Sequence, residues 1–144
     1  MARPLVLDPD TLTHLAMDLG TTPDRLIRTI QLINDFTPPQ LDNVFFDREG
    51  KSISFGEWSA LTACTGYVEL HHTVLAPDIM IRTAWTGFAK NANKRPPCVF
   101  HTVIERDDKV IVETELTNEA DATRVHNELV QYVTERGLDG LGNR

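Results

Sequence analysis

Four strand-forming runs follow one another with short connections, and this succession limits the possible folds more than any other feature. Residues 67–75, 79–88, 98–106 and 110–116 are rich in β-branched and aromatic side chains. Runs so close in sequence tend to lie side by side, so the expectation is a mostly antiparallel four-stranded sheet. In the second run Ile79, Ile81, Thr83, Trp85 and Gly87 share one face if the strand is regular. Asp107, Asp108 and Lys109 make a tight connection between the last two runs. Residues 89–97 form a long polar loop holding Lys90, Lys94 and Arg95.

Helical patterns flank this β-rich stretch. Residues 119–136 carry Ala122, Val125, Leu129, Tyr132 and Val133 as an apolar stripe, with Thr117 or Asn118 as cap and Gly137 as stop. That stripe predicts a C-terminal helix packed on the sheet, hence an α+β fold. Upstream, Ser54 and Glu57 are three apart, the spacing of a capping box, and predict a short helix through Trp58, Leu61 and Cys64. Val44, Phe45 and Phe46 before the turn Asp47 to Gly50 predict a short hairpin.

The chain opens on an expected helical hairpin. Asp8 or Asp10 caps a helix with Leu12, Leu15, Ala16 and Leu19 on one side. Gly20 ends it, because glycine accepts the left-handed conformation there. Thr22, Pro23 and Asp24 open a second helix carrying Leu26, Ile27, Ile30 and Ile33, and Pro38 with Pro39 closes it. The predicted division is a helical appendage over residues 1–40 and an α+β core over 41–144.

The spacing of Ala16, Gly20 and Leu26 resembles a helix-turn-helix, in which two helices cross closely at the alanine and turn at the glycine. A helix reading DNA presents donors to bases and phosphates. Residues 1–40 carry three Lys/Arg against five Asp/Glu, so packing or dimerisation is the stronger expectation. The whole chain has a net charge of -7. That balance disfavours nucleic acid and anionic membranes as partners, both of which select basic surfaces. The paired helices allow a homodimer.

With 144 residues and 41% apolar residues, the chain can bury a sizeable core without a disulfide or metal. Cys64 and Cys98 are not spaced as a metal pair and are expected as reduced core thiols. His71 and His72 are adjacent, so a strand would point them to opposite faces. No H-x-x-x-H or C-x-x-C pattern occurs, and neither a metal nor a cofactor is expected. No nucleophile elbow or phosphate-cradling glycine loop appears, so no catalytic residues are assigned. The opening MARPLVLDPD lacks the long apolar run of a signal peptide. No stretch reaches the ~18–20 apolar residues of a membrane span, and a cytoplasmic protein is expected.

The strongest candidate site surrounds Trp85 and the basic loop. An aromatic face beside cations suits a small anionic or nucleotide-like ligand, the ring stacking on a base and the cations meeting a phosphate. Lys90, Lys94 and Arg95 supply the cations, and Arg82, Thr83, His101, Thr102 and His126 the neighbouring polar groups. The alternative is a core tryptophan under an ordinary solvated loop.

Four segments resemble, in order, a group of small phage-encoded proteins. They are Phe46-Asp47-Arg48-Glu49-Gly50 with Trp58 after it, Arg82-Thr83-Ala84-Trp85-Thr86-Gly87, Pro96-Pro97-Cys98-Val99-Phe100-His101-Thr102, and Ala122-Thr123-Arg124-Val125-His126. The resemblance spans about residues 44–134. Three positions depart from the group's pattern: His101 stands for a glutamate, Val125 for a glycine and Thr86 for a leucine. The resemblance implies a phage or prophage origin and a compact α+β core. It makes a non-enzymatic accessory protein that binds a host protein or a small anionic host molecule the leading expectation. A DNA-binding regulator and a virion or assembly component are the alternatives.

Overall fold

Helix boundaries follow side-chain caps. The computed structural model describes residues 5–38, 40, 44–89 and 96–138. Helix α1 (Pro9–Asp18) begins where Asp8 Oδ1 accepts the Thr11 N–H at 2.8 Å, an interaction worth about 1 kcal/mol to a helix start. Helix α2 (Pro23–Asp35) begins where Thr22 Oγ1 accepts the Arg25 N–H at 3.3 Å. Between them Gly20 takes φ +71°, a conformation that costs glycine little. Leu12, Leu15 and Ala16 of α1 and Leu26 and Ile30 of α2 are buried, whereas Leu19 faces solvent.

The capping box is present. Ser54 Oγ accepts the Glu57 N–H at 3.2 Å, and Glu57 Oε1 accepts the Ser54 N–H at 3.0 Å, opening α3 (Phe55–Thr62). Glu57 has a second role that spacing could not show. Its Oε2 accepts the N–H groups of Val6 and Leu7, both at 2.8 Å, so this fully buried carboxylate ties the opening segment to α3. Helix α3 crosses α2 at Gly56, where a β-carbon would stand 2.4 Å from the Ile30 carbonyl oxygen. Asn34 Oδ1 accepts the Gly56 N–H at 2.8 Å at the same crossing. The apolar sides of α1 and α2 therefore share one cluster with Leu61, Trp85 and Phe100. Full burial of each leucine or isoleucine in it contributes about 1.5–3 kcal/mol.

One local expectation is corrected: Tyr67 and Val68, expected to open the first strand, belong to a helical turn, α4 (Thr65–Val68), with Cys64 O accepting from both Tyr67 N and Val68 N. The short hairpin at Phe45 and Phe46 is present: Phe46 pairs antiparallel with Ser52, Asp47 N donates to Lys51 O at 2.9 Å and Ile53 N to Phe45 O at 3.0 Å, around Gly50 at φ +83°. Phe45 also packs against the rings of Phe55, Trp58 and Phe88 at centroid distances of 5.3, 4.8 and 5.6 Å.

The sheet is the expected one. Strands β1 (Glu69–Ala76), β2 (Ile79–Trp85), β3 (Phe100–Arg106) and β4 (Lys109–Leu116) lie in the order β1-β2-β3-β4, every pair antiparallel. Strand β2 ends at Trp85, beyond which Thr86 N and Gly87 N share one acceptor, Val99 O, and the regular ladder stops. Helix α5 (Glu119–Arg136) starts at Asn118, whose Oδ1 accepts the Asp121 N–H at 2.8 Å, and packs across the strands. Between helix and sheet, Ile81 and Ile104 of the strands and Val133 of α5 form a second apolar cluster with Leu75, Val112 and Leu129 around them. The α3–α4 turn meets the first two strands at one end of the sheet.

Candidate functional site

Alternation along β2 and β3 divides the candidate residues between two faces. Thr83 pairs with Thr102 and Ala84 with His101, so Thr83 and Thr102 turn under α5 while Arg82 and His101 turn outward. His126 of α5 meets the inner group. His101 and His126 thus lie on opposite sides of the sheet. Lys90, Lys94 and Arg95 lie outside the described residues.

The inner group is a closed polar network. His126, 2% exposed, has Nδ1 2.9 Å from Thr83 Oγ1 and Nε2 2.8 Å from Thr73 Oγ1. Thr83 Oγ1 is also 2.7 Å from Thr102 Oγ1. His71, its ring 5.2 Å from that of His126, places Nε2 2.8 Å from Thr123 Oγ1. Burial holds the His126 pKa below the ordinary histidine value, and His71 and His72 push it the same way. Trp85 is equally enclosed: 2% exposed, its Nε1 donating to Phe46 O at 3.0 Å and its ring edge-on to Tyr67 at 4.8 Å. With its donor bonded and its faces packed, the ring is a core element.

The outer group is open. A cavity of about 300 Å³ lies between the α3–α4 turn and the outer face of the sheet, bordered by Thr62, Thr65, Glu69, Arg82, His101 and, at its floor, the enclosed Trp85. Arg82 Nη2 donates to Glu105 Oε1 at 3.0 Å, which fixes the guanidinium plane. Arg82 Nε is buried and has no hydrogen-bond partner among the described residues. His101 Nδ1 stands 3.8 Å from Glu113 Oε2 on the neighbouring strand.

Glu69 reaches this cavity because β1 is irregular. Glu69 pairs with Ala84 and His71 with Thr83, so two steps along β1 match one along β2. In a regular strand Glu69 and His71 would share a face. The extra residue, Leu70, turns Glu69 outward while His71 stays under α5, the kind of side-chain redirection β-bulges produce. Nothing in the local sequence signals it, and Thr62 and Thr65 join the site only through the position of the α3–α4 turn.

A second open cavity, about 420 Å³, is bordered by Thr11, His14, Asp18, Arg48, Cys64 and Tyr67. Its arginine is already engaged: Arg48 pairs with Glu119, sits 5.3 Å over the Tyr67 ring and donates to Tyr67 O at 3.4 Å. Burial, with Asp18 nearby, raises the Cys64 pKa and keeps its thiol protonated. The Arg82 cavity is therefore the better candidate.

Among the described residues no group of three or more His, Cys, Asp or Glu is placed to hold a metal ion. No helix among them is long and apolar enough to cross a membrane. Comparison with protein-family models, curated proteins and solved structures finds no match for this chain.

Proposed function

We propose that the chain is an accessory binding protein that holds a small molecule by an anionic group, in the cavity beside Arg82. The observation that carries this reading is the place of the Arg82 guanidinium: the side chain borders the cavity, is 40% exposed, and among the described residues is hydrogen-bonded through Nη2 alone, to Glu105. A carboxylate or phosphate oxygen matches the planar guanidinium fork. Because Glu105 already orients the group, little side-chain freedom is lost on binding.

The surroundings narrow the ligand. Val68 and Ala84 give the cavity apolar lining, and Thr62 and Thr65 add hydroxyls, the mixture typical of small-molecule sites. Among the described residues Glu69, Glu105, Glu113 and Glu115 outnumber Arg82 on this face, a balance that disfavours a polyanion such as nucleic acid. With the phage-type sequence motifs, this reading makes the ligand a component of the host cell.

The test is ligand capture. Purified protein is incubated with bacterial lysate, washed and denatured, and released small molecules are identified by mass spectrometry. The expected result is a near-stoichiometric carboxylate- or phosphate-bearing metabolite, retained by the native chain and lost from a folded Arg82→Gln variant. An empty native protein, or equal retention by the variant, would overturn the reading.

A further inference from the structure

The Arg82 cavity has a negative wall as well as a positive one. Glu69 borders it directly. It pairs with Ala84, two residues from Arg82 along β2, and so lies a diagonal step of roughly 7–8 Å from the arginine. His72 Nδ1 stands 3.9 Å from its Oε1, too long for a hydrogen bond. The bulge at Leu70 is what brings this carboxylate to the cavity; a regular β1 would have put it against α5. Glu105, the other carboxylate close to Arg82, is already bound to the guanidinium.

We infer that the ligand at this cavity is a zwitterion of the α-amino-acid type, its carboxylate on Arg82 and its ammonium on Glu69. The inference rests on the Arg82 site proposed above and adds the requirement for a cation. A purely anionic ligand gains the arginine but meets an uncompensated Glu69, and like charges brought together out of bulk water repel. A zwitterion satisfies both walls and leaves the net charge of the site unchanged. The Thr65 hydroxyl borders the cavity, Thr62, whose hydroxyl donates to Ser59 O at 2.8 Å, can still accept, and Val68 and Ala84 give an apolar surface for a side chain.

Calorimetric titration of the full chain separates the two readings. The probes are the individual L-amino acids, the N-acetyl derivative of the tightest binder, and inorganic phosphate. The expected result is saturable binding of at least one free amino acid, weakened more than about tenfold by N-acetylation, the loss expected for one charged hydrogen bond. Glu69→Gln should bring the free and N-acetylated forms to similar affinity. N-acetyl amino acid or phosphate binding as tightly as the free amino acid would overturn the zwitterion while leaving the Arg82 site standing. Failure of every probe to bind would overturn both. The acetylation series uses the native chain, so the result does not depend on how Glu69→Gln folds.

Discussion

Under α5, His126 has both ring nitrogens beside threonine hydroxyls, and one of those threonines is bonded to a third. Through the same strands, on the outer face, Arg82 has one nitrogen fixed by Glu105 and another buried without a partner among the described residues. The two regions share β2 and β3 and differ in what completes them. The inner network is completed by the chain itself, through Thr73, Thr83 and Thr102. The outer one borders a cavity with a guanidinium that, among the described residues, is hydrogen-bonded through Nη2 alone. A polar cluster is thus better judged by which of its atoms remain unmet than by its composition.

Substitutions should separate the faces by the property they change. The largest stability loss is expected for Trp85→Ala, about 3–5 kcal/mol by chemical denaturation, since the ring is enclosed and its N–H bonded to Phe46 O. A loss below about 1 kcal/mol would mean that the ring is not core. His126→Leu should cost roughly 1–3 kcal/mol, because the hydroxyls of Thr73 and Thr83 lose an acceptor or donor in a dry interface. If this variant were as stable as the native chain, the threonine–histidine network would not be a structural element.

The inner face should also impose a pH dependence. His126 has its pKa lowered below the ordinary 6.5 by burial and by His71 and His72. Below 6.5 the unfolded chain therefore binds a proton that the folded chain resists. Stability is fully present above that value and is lost as pH falls through the folded pKa. Melting curves between pH 7.5 and 5 should show this decline, and His126→Leu should flatten it. An unchanged slope in the variant would assign the decline to other groups. The smallest stability effect is expected for Arg82→Gln, under about 1 kcal/mol for a half-exposed ion pair, together with loss of ligand binding.

The sequence made some of this legible and left the rest to tertiary contacts. Caps at Asp8, Thr22, Ser54 and Asn118 are local hydrogen bonds, so their residue types mark the helix starts directly. The four strands follow from β-branched runs and short connections. Helix α4 was hidden because Thr65, Gly66, Tyr67 and Val68 have no helical preference; the turn is held by Tyr67, whose hydroxyl accepts from Arg48 N at 2.9 Å and whose ring meets Trp85. Alternation correctly sends His71 and His72 to opposite faces, yet it fails at Glu69, where the bulge changes the parity. The same alternation keeps Arg82 and His101 from sharing a pocket with Thr83 and His126, once strand pairing puts Ala84 opposite His101. The partners of Glu57 at Val6 and Leu7 depend on where the opening segment docks, which no local pattern encodes.

The most direct test of the contrast between the two faces is an NMR titration that follows the Arg82 Nε–H and the His126 ring signals. The probes are small carboxylates, amino acids and inorganic phosphate. The account predicts that at least one probe shifts the Arg82 Nε–H resonance saturably, while the His126 ring signals stay in place and Arg82→Gln abolishes the binding. An Arg82 Nε–H resonance that no probe moves, or a response centred on His126, would contradict it.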